Sequence, residues 1–132
     1  MNKSDIIADI LHHIREAGWH YEITDNLSPQ LHAFIDPERR LAIFNRQTAS
    51  IADYIHEEVH IELAHNGRLN WTNGNDERNP HETEANAEMI SRIVNFQIQN
   101  DWPLDVYTIM TWYGIPPFLE SYLIEELTRQ HQ

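Results

Sequence analysis

The sequence predicts an α+β fold: one mainly α-helical domain with a small β-hairpin or sheet packed on a central helix. The length of 132 residues fits a single domain over residues 1–132. Apolar residues recur at helical spacing in five segments, which are residues 4–17, 48–65, 80–95, 103–113 and 117–129. Two short apolar runs, at 31–35 and 40–45, flank an Asp-Pro-Glu-Arg turn and predict the hairpin. A hairpin this short needs a helix packed on it to be stable.

The composition limits the chemistry and the partners of the protein. Its net charge is −12, from 9 basic and 21 acidic residues, so direct binding to nucleic acid is not expected. The chain contains no cysteine, so any metal ion must be held by histidine and carboxylate side chains. No apolar run approaches membrane-spanning length and residues 1–10 lack a signal-peptide pattern. A cytoplasmic protein without membrane contact is therefore expected, with its oligomeric state left open.

The N-terminal third predicts a helix, a strand and the hairpin. Ser4 is expected to cap the first helix and Gly18 to end it. Residues 20–24 are compatible with a short strand before a turn. In the second strand of the hairpin, alternation places Ala42 and Phe44 together on one face of the sheet.

The helix predicted at 48–65 carries the motif His-Glu-x-x-His, whose histidines are His56 and His60. Residues four apart stack on one helix face, so both imidazoles can reach the same point. The two histidines belong to the apolar stripe of this helix, which consists of Ala52, His56, Val59, His60 and Leu63. The opposite side, which is expected to face water, holds Glu58, Glu62 and His65.

Two histidines one turn apart on a buried stripe need polar partners, and a metal ion would satisfy both. Zn²⁺ binds imidazole readily, and a catalytic zinc site uses three protein ligands and a water molecule. Glu57 lies at the edge of the same face, where its carboxylate can take a proton from that water. The motif therefore predicts zinc ligands at His56 and His60 and a catalytic base at Glu57. The structural alternatives are two satisfied core histidines and a solvated glutamate.

A second helix, opening at Pro80, offers the third ligand. Its apolar stripe consists of Glu82, Ala85, Asn86, Met89, Ile90, Ile93 and Val94. Glu82 leads this stripe, whereas the other candidates, His65, His81 and Glu84, fall off the relevant faces. Glu82 is therefore the predicted ligand, and Asn86 a predicted partner of a ligand histidine. The alternative is that Glu82 closes a capping box with Asn79.

The rest of the chain predicts a loop and two more helices. Residues 66–79 have loop composition and follow the motif helix, so Trp71 is expected near the site. The helix at 103–113 is expected to end at Gly114. The stripe of the last helix consists of Phe118, Leu119, Tyr122, Leu123, Glu126 and Leu127.

Together these motifs resemble the ImmA/IrrE family of zinc metallopeptidases, which have a zincin-like fold. The resemblance rests on a hairpin that ends at Asn45, on the His-Glu-x-x-His motif, and on a Glu-x-x-Ala-Asn signature at residues 82–86. It extends over a core of residues 30–125, and the segments at 107–110 and 114–116 resemble short phage and prophage members. Glu58-Val59 replaces the usual Leu-Gly inside the motif, but no departure removes a metal ligand.

The resemblance implies a zinc-dependent endopeptidase that cleaves a helix-turn-helix repressor of a phage or mobile element and so relieves repression. It implies Zn²⁺ as the cofactor, bound by His56, His60 and Glu82, with Glu57 as the catalytic base. Two alternatives stay open. One is a non-proteolytic antirepressor that binds the repressor and carries a structural or vestigial metal site. The other is an acidic helical domain without a metal.

Overall fold

The computed structural model describes residues 2–63 and 80–130 and confirms the predicted α+β fold. Within these ranges, a three-stranded mixed sheet is accompanied by five α-helices. The helices are α1 (Lys3–Glu16), α2 (Ile51–Glu62), α3 (Pro80–Gln99), α4 (Val106–Tyr113) and α5 (Glu120–Gln130). The strands are β1 (His20–Thr24), β2 (Ala33–Asp36) and β3 (Leu41–Asn45).

The predicted hairpin is present, and the predicted short strand joins it. β2 pairs antiparallel with β3, with Ile35 opposite Ala42. β1 pairs parallel with β3 on its other side, so the strand order is β1-β3-β2. Ala42 and Phe44 are fully buried, as the alternation predicts. β2 is therefore an edge strand of the sheet, and it packs next to α2.

The first helix begins at Lys3 because Asn2, and not the predicted Ser4, is its N-cap. The Asn2 side chain accepts a 3.1 Å hydrogen bond from the Asp5 backbone, and the Asp5 side chain accepts one of 3.0 Å from the Asn2 backbone. This reciprocal capping box satisfies two backbone donors that a helix start would otherwise leave unpaired. The apolar side of α1 is buried against α2 and β1.

The motif helix starts later than the predicted residue 48 because Ser50 caps it. Ser50 Oγ accepts a 3.2 Å hydrogen bond from the Asp53 backbone, and the Asp53 carboxylate accepts one of 2.9 Å from the Ser50 backbone. Ala52, Val59 and His60 of the α2 stripe are buried as predicted, whereas the His56 side chain is 12% exposed and Leu63 is 39% exposed. The predicted end of this helix, at residues 64 and 65, lies outside the described residues.

The prediction that Glu58 faces water is wrong, since its side chain is buried. Its carboxylate lies 3.0 Å from His13 of α1 and 3.3 Å from Arg92 of α3. A one-stripe pattern assumes that a helix has one buried side. Nine of the 12 residues of α2 are buried, because α1, α3 and β2 all pack against it.

The stripe predicted for α3 is confirmed at every position from Glu82 to Val94, with each member at most 2% exposed. This face packs against α2 and α5. Because Glu82 and Asn86 belong to the same stripe, their polar side chains point into the protein with the apolar ones. The packing of α3 on α2 thus brings a carboxylate towards the two motif histidines.

The C-terminal elements follow the prediction with shifted boundaries. α4 starts at Val106, and not at 103, because Asp105 accepts a 2.8 Å hydrogen bond from the Thr108 backbone and caps it. Gly114 ends α4 as predicted, with a φ of 75°. A 3-10 turn at Pro117–Leu119 leads into α5, and it leaves Phe118 42% exposed, contrary to the predicted stripe. Among the described residues, no helix combines the length and the apolar character needed to cross a membrane.

Candidate metal centre

His56, His60 and Glu82 converge where α2 meets the first turn of α3. His60 is fully buried, Glu82 is 2% exposed, and the side chain of His56 is 12% exposed. The Nε2 atoms of His56 and His60 are 3.1 Å apart. Glu82 Oε2 lies 3.0 Å from Nε2 of His56, and Glu82 Oε1 lies 2.7 Å from Nε2 of His60. Among the described residues, this is the group of histidine and acidic side chains that could hold a metal ion.

The distances between these atoms fit a small metal ion with only a slight opening of the group. Zn–N and Zn–O bonds of about 2.0–2.2 Å separate the ligands of a tetrahedral site by about 3.3 Å. The candidate ligand atoms of the three side chains all lie within 4.8 Å of one another. The distances between the two Nε2 atoms and from each of them to Glu82 are a few tenths of an ångström shorter than the roughly 3.3 Å of a tetrahedral site. The side chains of His56, His60 and Glu82 would therefore have to separate only slightly to bind one ion.

The hydrogen bonding at the group also fits a cation. Two Nε2 atoms that face each other cannot both donate or both accept, so one proton at most can lie between them. Glu82 Oε1 is buried and lacks a hydrogen bond of acceptable geometry despite its short distance to His60. Buried polar atoms normally have partners, because leaving one unpaired costs roughly 1–3 kcal/mol. A cation at the centre would accept lone pairs from all three side chains.

Burial and mutual attraction shift the pKa values of Glu82 and His56 in directions that favour an ionised Glu82 beside a protonated His56. Burial alone would raise the pKa of Glu82, but its contacts with His56 and His60 outweigh burial and lower the pKa to about 2. Burial alone would lower the pKa of His56, but the hydrogen bond with Glu82 and the charge of Glu57 raise it. Glu82 is thus ionised at neutral pH, which is the state in which a carboxylate binds a metal.

Glu57 is the second carboxyl group at this position, and it does not belong to the ligand group. Its side chain is buried, and its Oε1 atom makes no hydrogen bond to the described residues. Burial raises the pKa of Glu57 to about 8, and the nearby negative charges of Glu82 and Asp53 add to this rise. A metal cation at the adjacent group would act in the opposite direction, because it stabilises a nearby carboxylate.

A cleft of about 230 Å³ opens beside the group, and both His56 and Glu57 line it. Its walls come from α2, from the segment that enters β2, and from the 3-10 turn before α5, with Met89 of α3 among its lining residues. Most of the lining is apolar, including Leu31, Ala33, Ala52, Met89, Phe118 and Leu119. The combination of an apolar cleft and a few convergent polar groups is typical of ligand-binding and catalytic sites.

The other candidates for the third ligand do not join the group. His81 and Glu84 are exposed on α3 and lie outside the cluster. His65 and Trp71 lie outside the described residues. The same holds for Asn79, so the capping alternative for Glu82 remains a sequence-based hypothesis. Asn86 is buried one turn after Glu82, as its predicted supporting role requires.

The sequence analysis did not identify three polar residues that lie at or near the cleft. They are His32, Asn45 and Asp53. His32 and Asp53 line the cleft, and their side chains are 3.1 Å apart. Asn45 is 2% exposed and binds the backbone of the segment that carries His32. Only Asp53 had a local signal, since Ser50-x-x-Asp53 is a capping-box spacing. The hydrogen bonds that bring His32 and Asn45 to this place join residues 14 to 21 positions apart in the chain.

No protein-family model, curated protein sequence or solved structure matches this chain.

Proposed function

We propose that this protein is a zinc-dependent endopeptidase whose substrate is a helix-turn-helix repressor of a phage or mobile element. One observation carries the reaction type: a buried His56–His60–Glu82 group lies beside the carboxyl group of Glu57, and an apolar cleft reaches both. Two histidines, one ligand carboxylate and a separate glutamate are the functional groups that zinc-assisted peptide hydrolysis requires. The repressor as substrate comes from the sequence resemblance.

Zinc is the metal that the donor set suits best. The group offers two imidazole nitrogens and one carboxylate, and the chain has no thiolate. Imidazole favours zinc and other transition metals over magnesium or calcium, which prefer ligand sets made only of oxygen. A zinc ion held by three protein ligands polarises a carbonyl oxygen and lowers the pKa of a water molecule to about 7.

Glu57 would act as the general base and then as the general acid. Its unpaired carboxyl oxygen is available to take the proton of the attacking water. The peptide C–N bond then breaks as that proton passes from the Glu57 carboxyl group to the leaving nitrogen. Burial raises the proton affinity of Glu57, which strengthens it as a base, and a bound cation would stabilise the carboxylate form that has to accept the proton.

The position of the cleft suits an extended peptide. β2 is an edge strand, and Ala33 at its start lines the cleft together with His56. An edge strand offers backbone groups to which an extended chain can add by strand pairing. A flexible or locally unfolded segment of the repressor would therefore bind along β2, with its scissile bond facing Glu57.

A non-proteolytic antirepressor is the second candidate, and the net charge of −12 favours it. The DNA-binding surface of a helix-turn-helix protein is basic, so a strongly acidic partner is attracted to it. Such a protein could block DNA binding without cutting any bond. Its metal site, if closed by a fourth protein ligand, would then be structural.

The experiment mixes the purified, zinc-loaded protein with a helix-turn-helix repressor, which the resemblance implies is encoded nearby, and compares the wild type with Glu57→Gln. The glutamine of this variant keeps the size of the side chain but cannot take a proton. Loss of general base catalysis is expected to slow cleavage by roughly 10²–10⁴-fold while zinc stays bound. Glu84→Gln is the matched control, because it makes the same change at an exposed position of α3.

Fragment formation by mass spectrometry and release of operator DNA are measured in parallel. Cleavage by the wild type and Glu84→Gln, but not by Glu57→Gln, supports the peptidase. If both the wild type and Glu57→Gln release the repressor from DNA and neither produces fragments, the peptidase is excluded and the antirepressor stands.

A further inference from the structure

A second pair of polar side chains faces the cleft, apart from the metal group and Glu57. Nδ1 of His32 lies 3.1 Å from the Asp53 carboxylate, and both residues line the cleft together with His56 and Glu57. The His32 side chain is 49% exposed, so it is open to a molecule in the cleft. Among the described residues, no hydrogen bond to the other ring nitrogen of His32, Nε2, is present.

Both members of this pair are held in place by the surrounding structure. Asp53 lies in the first turn of α2, where its carboxylate also accepts a 2.9 Å hydrogen bond from the Ser50 backbone. On the other side, the backbone oxygen of His32 accepts a 2.8 Å hydrogen bond from the Asn45 backbone. The His32 ring is thus fixed both through its backbone and through one of its nitrogens.

The side chain of Asn45 strengthens this arrangement from inside the protein. It is 2% exposed and donates hydrogen bonds of 3.3 Å and 3.1 Å to the backbone oxygens of Ser28 and Leu31. A buried amide that bonds two backbone oxygens of one segment holds that segment in a single conformation. Asn45, at the end of β3, thereby ties the segment that precedes β2, and with it His32, to the sheet.

We propose that His32, oriented by Asp53, is a catalytic residue that donates an Nε2–H hydrogen bond to a negatively charged oxygen formed in this cleft. This inference rests on the proposed function, in which the carbonyl oxygen of the scissile peptide becomes negatively charged when water attacks. A donor that is fixed before the reaction stabilises such an oxygen, because it need not reorient as the charge develops. Asp53 engages Nδ1 of the ring, so Nε2 is the nitrogen that remains to donate to a molecule in the cleft.

The electrostatics of the pair agree with a donor role. The hydrogen bond with Asp53 raises the pKa of His32 above its usual 6.5 and outweighs the effect of burial. The other ionisable residues that line this cleft are His56 and Glu57, while the 3-10 turn contributes Pro116, Phe118 and Leu119, which are uncharged. The protonated ring carries hydrogens on both nitrogens, so it can bond Asp53 and an anion together.

The test uses phenylphosphonate, a tetrahedral anion whose apolar ring suits the lining of the cleft. Its binding to the zinc-loaded protein is measured by isothermal titration calorimetry for the wild type, His32→Ala and His32→Gln. A hydrogen bond to a charged group contributes about 1.5–3 kcal/mol, so His32→Ala is expected to weaken binding by roughly 10–100-fold. The glutamine of the second variant keeps an N–H donor without the charge, and an intermediate loss is expected. His12→Ala, which removes an exposed histidine of α1, is expected to change nothing.

Equal affinities of the wild type and His32→Ala would overturn the proposal, and so would a folded wild-type protein that does not bind phenylphosphonate. Cleavage assays on the same proteins separate this proposal from the proposed function. If His32→Ala weakens phosphonate binding but no protein cleaves the repressor, the anion-binding role stands and the peptidase fails. If the wild type cleaves and His32→Ala cleaves with the same kcat, the peptidase stands and the role of His32 fails.

Discussion

Glu82 is the residue on which the candidate site depends most, because its carboxylate contacts both motif histidines. It is buried between them, whereas Glu84 of the same helix is exposed. Two glutamates separated by two positions therefore have opposite surroundings. The difference follows from helical geometry, in which residues two apart point to different sides.

Replacing Glu82 by alanine would remove one of the three proposed ligands. Zinc affinity is expected to fall by more than roughly 100-fold, because residues that only support the ligands of a metal site already contribute about 10–100-fold. Glu84→Ala is the matched control and is expected to bind zinc like the wild type. Competition with a chromophoric zinc chelator measures both affinities. Equal losses in the two variants would contradict the assignment of Glu82 as a ligand.

At the scale of the elements, α2 is held in place by a charged cluster on the side away from the sequence-predicted stripe. Arg92 of α3 lies 3.3 Å from Glu58 of α2 and 3.2 Å from Glu88 of its own helix, and it also pairs with Glu62. His13 of α1 completes the cluster at 3.0 Å from Glu58. Three helices therefore meet at the one glutamate whose burial the sequence pattern did not indicate.

Arg92→Ala is expected to destabilise the protein by about 1–3 kcal/mol. Removing one partner of a fully buried pair costs about 3–5 kcal/mol, and the 24% exposure of Arg92 reduces this through solvent screening. Arg129→Ala is the control, because that side chain is 69% exposed beside Glu126 and is expected to cost less than about 1 kcal/mol. Urea unfolding measures both. If Arg92→Ala lowers the free energy of unfolding by no more than Arg129→Ala does, the cluster does not stabilise the folded protein.

The end of α4 supports the start of α2 through a close approach between Gly114 and Ser50. A Cβ atom at Gly114 would collide with the Ser50 side chain, whereas the nearest atom to one at Gly18 would be Arg40 Nη1, 3.8 Å away. Both glycines have positive φ angles, of 75° and 86°. The two positions therefore share the same backbone requirement but differ in the space around them.

Gly18→Ala is expected to cost about 1–2 kcal/mol for the positive φ alone. Gly114→Ala is expected to cost at least about 1 kcal/mol more, since overpacking adds roughly 1–3 kcal/mol. It should also weaken zinc binding, because Ser50 sets the first turn of the helix that carries His56. Urea unfolding and the chelator assay provide the two readouts. Equal destabilisation by both substitutions would mean that Ser50 moves aside at no cost.

At the scale of the whole molecule, the proposed ion would join α2 to α3 through side chains that are far apart in the sequence. His60 and Glu82 lie on either side of residues 64–79. A ligand that binds only the folded state stabilises it by RT ln(1 + [L]/Kd), which is about 2.7 kcal/mol at 100 times Kd. Zinc bound by side chains of both helices should therefore increase the free energy of unfolding of the entire domain.

Zinc at 100 times its Kd is expected to raise Tm by roughly 8–14 °C, on the basis of about 3–5 °C per kcal/mol for a domain of this size. Differential scanning calorimetry with zinc, with magnesium and with a chelator tests this. The shift should be absent with magnesium, reversed by the chelator and largely lost in Glu82→Ala. A folded wild-type protein whose Tm does not respond to zinc would exclude the metal centre.

The sequence by itself determined the fold class and the order of the described elements. It also determined which face of α3 is buried, because helical and strand periodicities are local properties. The candidate ligand group was predicted from the same periodicity, since His56, His60 and Glu82 each lie on an apolar stripe of the sequence, and the structure brings the three together. Three helices start at Lys3, Ile51 and Val106, one to three residues away from the predicted starts. The difference arises because the N-cap residue before each helix determines where the helix begins.

Only the tertiary structure decided which further polar groups surround the site. Glu58 is buried because α1 and α3 cover a side of α2 that its own pattern marks as polar. His32 faces the cleft because Asp53 and Asn45, 21 and 13 positions further along the chain, hold its side chain and its backbone. Such contacts depend on how helices and strands pack against one another, and that packing leaves no periodic signal in a single sequence.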